Sequence, residues 1–358
     1  MNVATLLASA ARRVPDRAAW IYGDDAASYH QTRERVARLA AGLRSQGLRS
    51  GDRAVLVLPN GPDLFELLWA TMWAGLVAVP LNRHLHAREV AYVLAHSEAS
   101  LVVVAQDTDG AVAEVEPGSI TVLRTGTTAY RELEDAEPMK PEPVQPDDPA
   151  WLFYTSGTTG KPKGAMLSHR NLMSMTLNYY ADVDPVADDA VYLHAAPLTH
   201  GSGLYLLPAV GHGATNVISA SARFDPRDYV TLARAHRVTH GAFLAPTMLR
   251  RLTDAVAAAP AELPHLRSLV VGGAALYEQD LRQALDVFGP IITQMYGQGE
   301  APMTIAVMPP RDLPAATANR RGDHAGGRSP ASKWRSWTTP ALPARRGPPV
   351  RSVSVAMS

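Results

Sequence analysis

A chain of 358 residues with 46% apolar side chains is long enough for one large α/β unit or for two to three domains. Its 34 basic and 34 acidic side chains cancel, so net charge favours neither a nucleic acid nor an anionic membrane surface as partner. The lack of cysteine excludes disulfides, thiolate metal sites and cysteine nucleophiles, and it suits a reducing, cytoplasmic compartment.

No run is long and apolar enough to suggest a membrane span. The opening stretch Met1 to Arg13 has a superficial look of a targeting peptide. Its apolar residues at helical spacing continue into Val14-Pro15-Asp16 and a strand-like Ala18-Ala19-Trp20-Ile21-Tyr22, so it reads as the first helix of the domain. Residues 31–47 set Val36, Leu39, Ala40 and Leu43 on one face of an amphipathic helix. Ala54 to Leu58 is a buried strand ended by Pro59-Asn60-Gly61-Pro62, and Leu64 to Trp73 a helix rich in Leu and Trp. Ala78-Val79-Pro80 and Leu101 to Ala105 are further strands, and the polar, Pro-rich residues 106–150 are expected to be connecting structure. Beyond them the pattern predicts helices near 169–181, 202–210, 226–236, 246–258 and 277–287. Strands are predicted near 190–195, 215–219, 239–244, 268–271 and 290–294. Such alternation implies a layered α/β architecture with largely parallel sheets, and no internal repeat is evident.

The densest chemistry lies in Tyr154-Thr155-Ser156-Gly157-Thr158-Thr159-Gly160-Lys161-Pro162-Lys163-Gly164, which packs four Ser/Thr hydroxyls, three glycines and two lysines into eleven residues. It follows the apolar Trp151-Leu152-Phe153 and precedes a helix capped near Ser168. Glycines let backbone N–H groups turn toward an anion, and the hydroxyls and lysines add donors, which is the chemistry of a nucleotide polyphosphate site. A Walker loop is excluded, because Pro162 follows Gly160-Lys161 and Thr155 stands where that pattern needs glycine. A flexible Gly/Thr linker is the bland alternative.

The eleven residues match the phosphate loop of the adenylate-forming acyl-CoA synthetases and their relatives. Pro197-Leu198-Thr199-His200-Gly201 resembles that superfamily's second motif, Gly272-Gly273-Ala274-Ala275-Leu276 its adenine-side turn, and Gln294-Met295-Tyr296-Gly297-Gln298-Gly299-Glu300 its aromatic-glycine-glutamate motif, all in family order. The resemblance covers about residues 1–310. It implies the large N-terminal α/β domain of these ligases and a reaction in two halves. A carboxylate attacks the α-phosphorus of ATP to give acyl-AMP and pyrophosphate, and the thiol of coenzyme A then displaces AMP.

On this resemblance Lys163 sets its ammonium against the β- and γ-phosphates, and Thr155, Ser156, Gly157, Thr158, Thr159 and Gly160 cradle phosphate oxygens. Gly272, Gly273, Ala274, Gln294, Gly297 and Gly299 border the nucleotide, Tyr296 stacks on adenine, and Glu300 holds Mg²⁺. His200 lines the acyl site, although a histidine beside glycines is also a common packed or solvated residue. Gly201, Gly203, Leu204 and Leu207 suggest room for an apolar chain, hence a fatty acid. One departure is Gly299, where the family commonly has Thr; a hydrogen bond worth about 1.5–3 kcal/mol to a charged group is then missing or replaced.

The resemblance stops near residue 311. From Arg311 to Ser358 there are nine Lys and Arg against two acidic residues, six prolines, and no Ile, Phe or Tyr, a composition expected to be poorly ordered. The family's ribose-binding aspartate, its hinge and the lid domain with a catalytic lysine are not matched. Ala331 to Pro340 can be encoded so that the same nucleotides, read one base earlier, give Gly-Ile-Glu-Val-Glu-Val-Val-Asp-Asp-Ala, a strand and a turn that resemble the family. Gly326 to Pro330 likewise permits Gly-Arg-Pro-Leu-Pro, and Val350 to Ser358 permits Gly-Glu-Val-Arg-Val-Arg-Gly-Asp-Val. The expectation is a frameshift between about Pro310 and Ala325, a domain over 1–310 and an out-of-frame tail over 311–358, with weak or no turnover by this chain. A non-catalytic remnant that still binds nucleotide, and a ligase that hands acyl-AMP to a carrier protein, are the rival readings.

Overall fold

The structure is a computed structural model that describes residues 1–116, 120–155 and 161–313, together with the backbone of Arg335–Ser336. Two sheets and the helices packed on them make up the described chain. The smaller sheet runs in the order Thr121–Arg124, Leu101–Val104, Arg53–Val57, Val77–Pro80, Pro149–Thr155, Lys163–Ser168; all its neighbours are parallel except the last pair. The larger runs Arg335–Ser336, Ala301–Met308, Ile292–Gln298, Ser268–Val271, His240–Leu244, Val191–His194, Thr215–Ile218, Ala18–Tyr22, Asp25–Ser28, with a parallel centre and antiparallel margins.

The sequence shows why the centres are parallel. Leu101–Val104 is buried at every position, as a strand covered on both faces must be, and Ser268–Val271 repeats the pattern. The covering helices carry their own start signals. Ser28 caps Tyr29–Ser45 in a reciprocal box with Gln31, Ser168 caps His169–Asn178 with Asn171, and Asp225 precedes Pro226 at the head of Pro226–Ala235. The helix Pro62–Trp73 is buried from Leu64 to Trp73 without a break, so it lies inside the protein rather than on it. The main core spans both sheets, with Trp69, Trp151, Tyr29, Tyr179 and Tyr205 fully buried.

The stretch 106–150 is more structured than its composition suggests. It holds the 3₁₀ turn Gln106–Val112, the edge strand Thr121–Arg124 and the helix Thr128–Glu134, capped by Thr127. The edge strand buries only Leu123 and the helix only Tyr130 and Leu133, so neither leaves a hydrophobic period to read. The helix Ala87–His96, with Val90, Val93 and Leu94 buried, and the strands Asp25–Ser28, Lys163–Ser168 and Ala301–Met308 also went unread. Ser156, Gly157, Thr158, Thr159 and Gly160 lie outside the described residues, as does the tail apart from the backbone of Arg335–Ser336.

Candidate active site

The glycine-rich segment is flanked by an antiparallel strand pair, the phosphate hairpin: Pro149–Thr155 pairs with Lys163–Ser168, and Thr155 stands opposite Lys163 as the last described pair. The larger sheet meets this hairpin at one turn. Ile292–Gln298 reverses through Gly299 and Glu300 into Ala301–Met308, and Gly299 is buried against the hairpin. A Cβ at 299 would lie 3.1 Å from Thr155 Cγ2 and 3.2 Å from Phe153 Cδ1. A side chain there would need the Thr155 methyl or the Phe153 ring to give way by a few tenths of an ångström, so glycine suits this close approach. At Gly297 a Cβ would meet the Met303 backbone nitrogen at 2.5 Å, so the bulge that shapes the turn admits only glycine.

Phe153 carries the third motif as well. The His200 ring lies against it, centroids 5.5 Å apart. His200 is exposed, and its Nδ1 donates to the Thr199 carbonyl oxygen at 3.1 Å, which leaves Nε2 as an acceptor in the neutral ring. Two anchors set its segment. The Asn60 amide donates to the Ala196 carbonyl at 3.0 Å and accepts from the Leu198 N–H at 2.9 Å, joining the end of Arg53–Val57 to the larger sheet. Below it, Asn216 Nδ2 donates to the Ala19 and Ala214 carbonyls, so Asn216 Oδ1 accepts from His194 Nε2 at 3.0 Å. His194 Nδ1 therefore accepts from Ser202 Oγ at 3.1 Å. Burial pushes the His194 imidazole down to about 4, so this relay is neutral and fixed.

A second aromatic gathers the adenine-side turn. Gly201, Gly272 and Gly273 would place Cβ atoms 3.3, 3.5 and 3.2 Å from Phe243, and Gly273 has φ +84°, a left-handed conformation suited to glycine. A Cβ at Gly272 would also meet the Met295 carbonyl at 2.8 Å. Tyr205 donates to Met295 Sδ at 3.2 Å. Ala274 is exposed, Gln294 half-buried, and the Tyr296 ring 47% exposed, its hydroxyl accepting from Gln298 Nε2 at 3.0 Å. Phe153, Phe243 and Tyr205 are the site residues that sequence reasoning missed, and Met295 was quoted within its motif without a role; only their places in or beside the motifs could have signalled them. Gly203 does not open a pocket, since its Cβ would lie 1.9 Å from the Leu198 carbonyl oxygen, and Leu204 and Leu207 are core.

Lys163 and Glu300 both have exposed side chains. Among the described residues no group of three or more His, Asp or Glu is arranged to hold a metal ion. A lone carboxylate still fits Mg²⁺, which keeps waters and is completed by substrate phosphates. Beside the motifs, a cavity of about 520 Å³ opens past the ends of Arg53–Val57, Val77–Pro80 and Thr215–Ile218. Arg83, Arg223 and Arg251 line it together with Pro197 and Thr199. Arg83 pairs with Asp107, and the Arg251 guanidinium sits 5.6 Å above the Phe224 ring. The crevice as a whole lies at the carboxyl ends of the parallel strands, the position at which open α/β sheets take ligands.

The model of the family described as "AMP-binding enzyme" matches residues 7–330. The chain belongs to the AMP-binding enzyme family. Within the family, a feruloyl-CoA synthase from an Amycolatopsis species is 37% identical over 305 residues, covering 83% of this chain and 59% of that protein. The fatty acid–[acyl-carrier-protein] ligase ScoC of Streptomyces coeruleorubidus is 30% identical over 298 residues, covering 79% and 55%. The chain thus spans somewhat over half the length of these AMP-binding relatives. Among solved structures, the N-terminal domain of FACL13 from Mycobacterium tuberculosis superposes with a TM-score of 0.79 at 24% identity, covering 87% of this chain and 80% of that one. The Bacillus subtilis o-succinylbenzoate CoA synthetase MenE, in complex with its acyl-adenylate intermediate OSB-AMP, superposes with a TM-score of 0.75 at 26% identity, covering 86% and 61%. The layered α/β fold is that of the N-terminal domain of adenylate-forming ligases. No helix among the described residues is long and apolar enough to cross a membrane.

Proposed function

We propose that this chain carries the ATP and acid sites of a carboxylate–CoA ligase. The observation that carries the reading is the seating of the Gly299–Glu300 turn on the phosphate hairpin, with His200 on the same Phe153. The reading brings the hairpin's Lys163 and the Glu300 carboxylate to one polyphosphate chain. Lys163 offsets phosphate charge as a point cation, and Thr155, Ser156, Gly157, Thr158, Thr159 and Gly160 donate to phosphate oxygens. Bound Mg²⁺ would be held by Glu300 and would offset charge on the leaving pyrophosphate. The enzyme needs no nucleophile of its own: it aligns the substrate carboxylate with the α-phosphorus beside His200 and keeps the reacting groups in line.

Gly272, Gly273, Ala274 and Gln294 border the nucleotide, with Tyr296 as the stacking ring and Gly297 and Gly299 giving the backbone its close approach. Coenzyme A, a polyanion at its nucleotide end, is assigned to the Arg83, Arg223 and Arg251 cavity, which shares Pro197 and Thr199 with the segment leading to His200. The acid is a fatty acid or, given Phe153, Phe243 and Tyr205 around the site and the feruloyl-CoA synthase likeness, an aromatic acid. The same proposal carries weak or absent turnover by the 358-residue chain.

Calorimetric titration with MgATP and an ATP–pyrophosphate exchange assay with fatty and hydroxycinnamic acids test the reading. MgATP binding with little exchange is expected. A chain that does not bind MgATP sinks the assignment of the site, and robust exchange overturns the expectation of weak turnover. Comparing CoA with a carrier protein as acceptor separates the two ligase readings.

A further inference from the structure

The phosphate hairpin is tied to the helix Ala87–His96 through Tyr154 on one side and Pro162 on the other. Tyr154 stands opposite Gly164, and its ring crosses the space a side chain at 164 would need: a Cβ there would lie 2.9 Å from the ring. The Tyr154 hydroxyl is 2.8 Å from His96 Nδ1 on the last turn of the helix. Burial raises the Tyr154 phenol above its ordinary value, so it keeps its proton. His96 stacks on Tyr92, one helical turn earlier, with centroids 5.3 Å apart and planes 20° apart. The Tyr92 hydroxyl donates to the Pro162 carbonyl at 3.2 Å.

These contacts close a circuit. It runs along the chain through Pro162, Lys163 and Gly164, crosses the hairpin to Tyr154, and returns through His96 and Tyr92 to Pro162. Lys163 sits between two clamped neighbours, so its backbone has little freedom although its side chain is exposed. Val90, Val93 and Leu94 supply the buried face of the helix, Tyr92 packs half-buried beside them, and His96 is exposed. The hydrogen bonds of this pair run to Tyr154 on one strand of the hairpin and to Pro162 just before the other. Preorganised donors stabilise developing charge far better than donors that must be gathered first.

We propose that Tyr92 and His96 are positioning residues that hold Lys163 and the exit of the phosphate loop in place for nucleotide phosphates. The proposal rests on the nucleotide reading of the hairpin. Tyr92→Phe removes one hydroxyl and keeps the stack; His96→Ala removes the stack and the tyrosine partner; His96→Gln restores an acceptor. The measurements are amide hydrogen exchange of the ligand-free 358-residue chain and its MgATP dissociation constant.

Tyr92→Phe and His96→Ala should speed exchange over residues 154–164 by about two- to tenfold, the range one lost hydrogen bond spans, and weaken MgATP by the same range. Exchange elsewhere should stay at wild-type values, the thermal midpoint should fall by no more than about 4 °C, and His96→Gln should recover part of both effects. Wild-type exchange over 154–164 in both variants overturns the proposal. So does faster exchange with unchanged MgATP affinity, or an equal loss of protection across the whole chain. If the wild-type chain itself does not bind MgATP, the nucleotide reading falls, and the tether is then judged by exchange alone.

Discussion

Glu66 is a carboxylate on the helix that is buried from Leu64 to Trp73, and its side chain is 1% exposed. Burial raises its carboxyl to about 7 from an ordinary 4.5, against the opposing pull of Arg35 at 3.0 Å and the Trp20 indole N–H. A raised acid favours folding while it is protonated. That contribution is complete below pH 4.5 and is lost as pH rises through 7. Glu66→Gln keeps an acceptor for Trp20 and leaves Arg35 with Glu134. The variant should gain stability over wild type at pH 8 by on the order of 2–3 kcal/mol, and the gain should vanish by pH 4.5. Urea unfolding at both pH values decides it; a gain independent of pH would show that burial of the charge is not the cause. At the same scale, Gly203→Ala forces a Cβ onto the Leu198 carbonyl and should cost about 3 kcal/mol or more, whereas Gly110→Ala, in open space, should stay within about 0.5 kcal/mol. Equal urea midpoints for the two would refute the packing argument.

Among the elements, the loop from Ala196 to His200 is placed by a side chain of the other sheet. Asn60 both donates to and accepts from it, so Asn60→Ala strips two bonds at once. Expected are a stability loss of about 1–3 kcal/mol and weaker acid binding with MgATP affinity nearly kept, because the hairpin does not pass through Asn60. Substrate and nucleotide titrations check the split; a matching loss of both ligands would mean general loosening. Elements of this kind mark the limit of what can be read from sequence. The strands 101–104 and 268–271 and the helices 226–235 and 246–258 are legible because burial writes a run or a period into them. The motifs at 154–164, 197–201, 272–276 and 294–300 are legible because phosphate chemistry and tight backbone approach restrict residue type. Phe153, Phe243 and Asn60 are not, since their role is to touch residues about thirty or more positions away, and one aromatic or amide has no local signature. The edge strand Thr121–Arg124 fails for the opposite reason, being too exposed to keep a pattern.

Over the whole molecule, the two sheets meet at the crevice, and the described larger sheet ends in the short pairing of Arg335–Ser336 with Ala306 and Val307. That pairing falls where the one-base-earlier reading of the tail encodes Glu-Val-Glu-Val. We propose that the residues beyond about 311 are read out of frame. The gene sequence across codons 305–360 should carry an open alternate frame with that strand; stops there, or a different peptide, would dismiss the idea.

The partners of the first strand also set an order of assembly. The smaller sheet is complete once residue 168 has been made, since all its strands lie between 53 and 168. Trp20, made far earlier, pairs in parallel with Asn216. During synthesis the hairpin of Ala18–Tyr22 and Asp25–Ser28 therefore leaves the ribosome about two hundred residues before its parallel neighbour Thr215–Ile218, a long-range pairing of the kind expected to form late.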